Sequence, residues 1–249
     1  MRTVIVGASS GLGRCIGVGL AQRGAHVALM ARRRERLDAA VAEAGANAVA
    51  IACDVTDPAS IDQAIKQAAA DLGGIDSLVY TPAIGPLGHL AETDIATWRS
   101  VFDTNVIGAS LVTAAAIPHL TESHGTAVYL SSVSASQTAP WPGLGAYAVS
   151  KAALDKLVEA WQVEHPAVGF TRCVVGDCPG GEGDGLTGFA DGWDPALAAD
   201  FGVRWVEQNL IAGAFIDVDH LVAAIDGVLR SGASVATTSI TLAPRRPSR

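Results

Sequence analysis

The sequence predicts a doubly wound α/β fold in a single domain, with helices on both faces of a parallel sheet. Three observations predict it. Short apolar runs alternate with longer helical stretches from the start of the chain, the runs read as strands buried on both faces, and a glycine-rich turn joins the first run to the first helix. The chain has 249 residues, 49% hydrophobic and 17% charged, enough for a large core and within the range where α/β chains stay one domain. The domain is expected to span residues 1–242, with a substrate loop or lid at about 180–215 and a frayed basic tail at 243–249.

The strand-like runs are TVIV at 3–6, HVALM at 26–30, AVAIA at 48–52, SLVY at 77–80, TAVYL at 126–130 and TRCVV at 171–175. Between them, 12–22, 33–44, 58–72, 98–119 and 147–163 are long enough for helices, several with apolar residues at three-to-four spacing. This βαβα order calls for right-handed crossovers and for ligands at the carboxyl ends of the strands. Two stretches break the rhythm: GGEGDGLTGFADGWDP at 180–195 and the tail APRRPSR.

Composition narrows the function classes. A formal net charge of −8 leaves no general affinity for nucleic acid or anionic membranes, since both need a basic face. No secretory leader pattern and no run of about 18 uncharged apolar residues is read, so a cytoplasmic location is expected. Cys15, Cys53, Cys173 and Cys178 are scattered without a CxxC pair and read as reduced structural thiols. No histidine spacing suits a metal, and none is expected.

The turn VGASSGLG at 6–13 follows the first strand and opens the first helix. Gly7 permits a tight turn, Gly11 a close backbone approach to a pyrophosphate, and Gly13 packing of helix on strand. Ser9, Ser10 and Leu12 complete the candidate phosphate cradle. The second strand runs into Arg32 and Arg33, ordinarily a solvated helix start, but placed where a guanidinium can fork onto a ribose 2′-phosphate. Further on, Tyr147 and Lys151 share a helix face at i,i+4. A phenol with a reference pKa near ~10 is a weak acid at neutral pH, and a nearby ammonium is expected to favour its phenolate. A lone YxxxK is usually surface decoration; its meaning comes from its neighbours.

Those neighbours, YLSSVSA at 129–135 and DTNVIG at 103–108, together with the turn and the Tyr-Lys pair, resemble the short-chain dehydrogenase/reductase family. The resemblance covers about residues 3–175 well and 219–242 in outline. It implies a Rossmann fold and a tetrad of Asn105, Ser132, Tyr147 and Lys151. Tyr147 would exchange a proton with the reacting oxygen and Ser132 would hydrogen-bond that oxygen. Lys151 would hold the nicotinamide ribose, and Asn105 would keep a water that relays protons to it. Ser132 matches the family's strand motif but lies two residues farther from Tyr147 than is usual, whereas Ser134 has the usual separation. Both are expected on one face of an extended strand, with Ser132 favoured and the turn-rich 136–145 absorbing the extra length.

The resemblance also implies adenine contacts at Asp54 and Val55, with Asp57 better read as a helix cap. Small Ala83 is placed beside the nicotinamide. Ala31 stands where NAD-using members commonly carry Asp, so NADP(H) is the expected cofactor and NAD(H) the alternative. The expected activity is interconversion of a small-molecule carbonyl and a secondary alcohol, in a homodimer or homotetramer paired through the 98–119 and 147–163 helices. There are departures. Val6 replaces a family threonine, Tyr80 to Ala83 replace an Asn-Asn-Ala-Gly turn, and Asp177 and Cys178 stand where Pro-Gly is usual, with Pro179 and Gly180 just beyond. They motivate the rival expectation of a catalytically weak dinucleotide-binding sensor; an epimerase or dehydratase fits the length less well. Leu186, Phe189, Trp193 and Trp205 either line a pocket or anchor the loop.

Overall fold

A computed structural model describes residues 1–211 and 213–245. In chain order the elements are β1 (Arg2–Val6), α1 (Gly11–Gln22), β2 (His26–Ala31), α2 (Arg34–Ala44), β3 (Ala48–Ala52), α3 (Pro58–Leu72) and β4 (Ser77–Tyr80). There follow α4 (Ile95–Phe102), a π-helical turn (Asp103–Ile107), α5 (Gly108–Ser123), β5 (Thr126–Ser132), the short α6 (Val133–Ser136) and α7 (Gly145–Glu164). The last part holds β6 (Gly169–Val175), α8 (Pro195–Glu207), α9 (Val218–Leu229) and β7 (Ser239–Leu242). Helix starts are set by aspartates whose carboxylates accept first-turn N–H groups: Asp57 for α3, Asp94 for α4, Asp194 for α8 and Asp217 for α9.

The seven strands form one sheet in the order β3-β2-β1-β4-β5-β6-β7, every pair parallel. This is the doubly wound Rossmann arrangement. Alternate residues of β1 face opposite cores: Ile5 joins Leu29, Val79 and Leu221 beneath α1, α2 and α9, while Val4 and Val6 join Met30, Leu78 and Tyr80 beneath α3, α5 and α7. Strand order reverses between β1 and β4, whose carboxyl ends meet at Val6 and Tyr80 and open the crevice there.

Two expectations change. The helix expected over 98–119 is two helices joined by the π turn, because the buried Asn105 and the Thr104 carbonyl, which accepts the Tyr80 hydroxyl at 2.6 Å, are held in place there. β5 stops at Ser132, which caps α6, so Ser132 and Ser134 do not share a strand face. β7 pairs with β6 where the sequence was read only in outline. Of the tail read as frayed, residues 246–249 lie outside the described residues. The run Ile95–Ser123 is long and apolar enough to pass for a membrane span, but it contains Arg99 and Asp103, and its α5 portion packs on α3, β4 and β5.

Candidate active site

The cradle is built by β1 and α1. Gly7 turns with φ of +86°, and a Cβ on either Gly7 or Gly13 would collide with the Thr81 hydroxyl. Thr81 is thus wedged between the two glycines, and its Oγ1 donates to the Val6 carbonyl at 2.6 Å. The hydroxyl missing at Val6 is supplied from the neighbouring strand end, which accommodates both departures at once. Ser10 begins α1 without a side-chain cap; its hydroxyl instead accepts from Arg33 Nη2 at 2.7 Å. The first-turn N–H groups of α1 therefore have no side-chain acceptor, which suits a phosphate.

Of the two arginines it is Arg33 that crosses to the turn, donating also to Ser9 Oγ at 3.0 Å. Burial, then Arg36 and Arg32, lower its pKa, as expected of a cation crowded by like charges and ready to receive an anion. Arg14 is spoken for, bonded to Glu43 at 2.8 Å and to the Arg36 carbonyl at 3.1 Å. From these arginines a cavity of about 770 Å³ runs past Asp54, Val55 and Ala83 to Ser132, Tyr147 and Lys151. Asp54 is held as a carboxylate by the Thr56 N–H and hydroxyl, which lower its pKa. Asp177 and Cys178 line the cavity, whereas Pro179 and Gly180 do not. The shape, the uncapped helix start and the basic end fit a dinucleotide.

At the other end, burial pushes the Tyr147 phenol up to about 12, with the nearby Ser132 hydroxyl opposing that. The expected pull of the lysine on the phenol is not found: burial raises the group, and Ser132, not Lys151, opposes it. Lys151 Nζ lies 5.8 Å from the Tyr147 ring centre and donates to the Leu130 carbonyl at 2.7 Å. Burial lowers Lys151 to about 8, opposed by Asp155. Ser132 is the serine that meets Tyr147, and Ser134 stands behind it, hydroxyl to hydroxyl at 2.9 Å. Asn105 does not line the cavity. Its side chain clamps the backbone of Ile84, accepting from the N–H and donating to the carbonyl, both at 2.9 Å, and donates to Ser150.

The 180–195 loop lies across the cavity. Phe189 meets the Tyr147 ring edge-on at 4.9 Å, and Trp193 donates to the Gly85 carbonyl at 2.8 Å. Leu186, Phe189 and Trp193 line the cavity, while Trp205 is buried behind Trp141, 5.2 Å between ring centres. Trp141, Leu144 and Thr187 also line it and were missed. Trp141 lies in a turn-rich stretch that sequence reading treats as connection. The only available signal was an aromatic among glycines and prolines.

Comparison with known proteins bears on the family and the fold. The family model described as short chain dehydrogenase matches residues 2–181. A short chain dehydrogenase from Pseudocercospora fijiensis is 36% identical over 172 residues, 67% of this chain and 55% of that protein. The chain spans less than two thirds of the length of the curated relatives it matches. Among solved structures, an alcohol dehydrogenase from Thermococcus sibiricus, complexed with 5-hydroxy-NADP, superposes with a TM-score of 0.80 at 23% identity, covering 99% of this chain and 98% of that one. A 3-ketoacyl-(acyl-carrier-protein) reductase from Brucella melitensis, complexed with NADH, gives 0.81 at 23% identity over 96% and 95%.

The buried lysine has a measurable consequence. Its pKa is lower folded than unfolded, so between about 8 and 10.5 the unfolded chain binds more protons and stability due to this group rises with pH. Lys151→Met removes the penalty for burying the charge. Between pH 8 and 10.5 the wild type should gain stability relative to this variant by on the order of 3 kcal/mol, the difference being constant below that window. Urea unfolding across that range checks this; a gap independent of pH contradicts it.

Proposed function

The chain belongs to the short-chain dehydrogenase/reductase family, and on that premise we propose that it is an oxidoreductase that uses NADP(H) to interconvert a bulky, uncharged carbonyl compound and its secondary alcohol. The observation that carries the reading is the placement of Tyr147, Ser132 and Lys151 together at one end of a cavity lined at the other by Arg32, Arg33 and Arg36. The cradle of Gly7, Ser9, Ser10, Gly11, Leu12 and Gly13 would hold the pyrophosphate. Arg33, with Arg32 beside it, would hold the 2′-phosphate. When bound, the dinucleotide supplies the hydride.

The chain's own residues manage the proton. With its pKa near 12, Tyr147 carries its proton at neutral pH and gives it to the substrate oxygen as that oxygen gains negative charge. Ser132 donates a hydrogen bond to the same oxygen. The Lys151 ammonium, 5.8 Å from the Tyr147 ring centre, stands beside the phenolate left behind and supports reprotonation. Asn105 acts by fixing the Ile84 backbone at the cavity wall rather than by touching the reacting atoms.

Substrate class follows from the wall on the far side of Phe189. A cavity of about 530 Å³ there is bounded by Ile84, Pro86, Thr97, Ser100, Phe189 and Trp193, with no charged side chain among its lining residues. An anionic or phosphorylated substrate would be desolvated without a partner in it, whereas an apolar ketone loses nothing.

NADPH-dependent turnover across a panel of ketones tests the proposal. Bulky apolar ketones should be reduced and carboxylated analogues should not. Tyr147→Phe should retain dinucleotide binding and lose roughly a hundredfold or more in kcat. Binding without turnover on any ketone would favour the sensor reading, and unchanged turnover in the variant would rule out the proton donor.

Cofactor choice gives the second prediction. A charge-assisted contact is worth about 1.5 to 3 kcal/mol, so Arg33→Ala should lower the NADPH:NADH ratio of kcat/KM by roughly tenfold or more. Arg32→Ala should change it less. The reverse order, measured side by side, would return the phosphate to Arg32.

A further inference from the structure

One buried carboxylate has no part in the mechanism above. Asp155 lies one helical turn beyond Lys151 on α7, and it is 7% exposed. Three polar atoms from three elements are buried around it without a hydrogen-bond partner among the described residues: Asp155 Oδ1 from α7, Ser131 Oγ from β5 and Arg172 Nε from β6. Such atoms are costly to leave in a core, and a group of them around one carboxylate marks a polar node rather than packing. The node adjoins the site directly, because Ser131 follows Leu130, whose carbonyl receives the Lys151 ammonium.

We propose that Asp155 is a positioning residue that keeps Lys151 charged at neutral pH, so that an ammonium rather than an amine stands behind Tyr147. The value of that charge for reduction rests on the function proposed above; the electrostatic coupling does not.

The charges around the node give the sign. Burial raises the Asp155 pKa most. Ser131, Arg172 and Lys151 oppose this in that order, the hydroxyl favouring the charged form without closing a full hydrogen bond, and Glu159 on the same helix raises it again. Glu159 is itself paired with Arg172 Nη1 at 2.8 Å and with Lys156, so its charge is largely compensated. For Lys151, burial lowers the pKa to about 8 and Asp155 raises it. Tyr147 faces the lysine from the same helix and is uncharged at neutral pH. A lysine this near the neutral range is one whose charge a single neighbouring carboxylate decides.

Nuclear magnetic resonance of the free full-length protein, with 13Cε-labelled lysine, tests the coupling without substrate or cofactor. Asp155→Asn keeps the shape and removes the charge. It should move the Lys151 midpoint down by roughly one pH unit, and Asp155→Glu should leave it near the wild-type position. An unchanged midpoint in folded Asp155→Asn overturns the proposal. Should that variant not fold, the wild type suffices: the Asp155 carboxyl 13C signal should show an inflection at the Lys151 midpoint, and its absence overturns the proposal equally. If the midpoint moves and no ketone is reduced, the coupling stands and the proposed activity is what has failed.

Discussion

A lysine ammonium buried in a protein and bonded to one backbone carbonyl is an expensive arrangement, and in this chain much of the site hangs from it. Lys151 reaches from α7 to the carbonyl of Leu130, near the carboxyl end of β5. That bond fixes the rotation of α7 over the sheet. With the rotation fixed, Tyr147, one turn earlier, is brought against Ser132, where β5 gives way to α6. A change that let the lysine escape to water would relax α7 and separate the Tyr147 and Ser132 hydroxyls. The cost of burial is thus tied to preorganisation of the site.

A second constraint acts at the opposite end of the cleft. Thr81 fills the space left by Gly7 and Gly13 and bonds the Val6 carbonyl, so the end of β4 and the phosphate turn are packed as one unit. Behind it, Tyr80 fastens the same strand to the Thr104 carbonyl of the π turn, and Asn105 in that turn holds Ile84. Two of the residues that look anomalous in sequence, Tyr80 and Thr81, therefore join Asn105 in a brace from the cradle to the cavity wall. Phe189 and Trp193 close this wall from the lid side, with Trp193 anchored to Gly85 and Phe189 against Tyr147. A substrate must share that space with Phe189 or displace it.

Much of this was legible in the sequence. The six strand runs and the phosphate turn follow from periodicity and glycine placement, which are local signals, and their alternation with helices calls for parallel strands joined by right-handed crossovers; β7 gave no such run, and its place beside β6 is a tertiary feature. The pairing of Tyr147 with Lys151 was readable because a helix repeats on a known period. Other features were hidden by their dependence on tertiary contacts. The π turn arises because Tyr80 and Asn105 act on it from outside its own segment. That Arg33 rather than Arg32 faces the cradle depends on where α2 begins after the strand. That Ser132 rather than Ser134 meets Tyr147 depends on the strand ending one residue before α6 begins to turn. Trp141 gave only the weak signal of an aromatic within a connection, and Asp155 gave none, since it reads as an ordinary polar position on a helix.

The central claim is that one continuous cleft binds a nicotinamide dinucleotide with its adenosine phosphate at the arginines and its reactive ring beside the tyrosine. A crystal structure of the protein with NADPH tests it most directly. The 2′-phosphate should lie within hydrogen-bond distance of the Arg33 guanidinium, with the nicotinamide ring bordering the space between Tyr147 and Phe189. A dinucleotide bound elsewhere, or in this cleft with its nicotinamide turned away from Tyr147, would contradict the account.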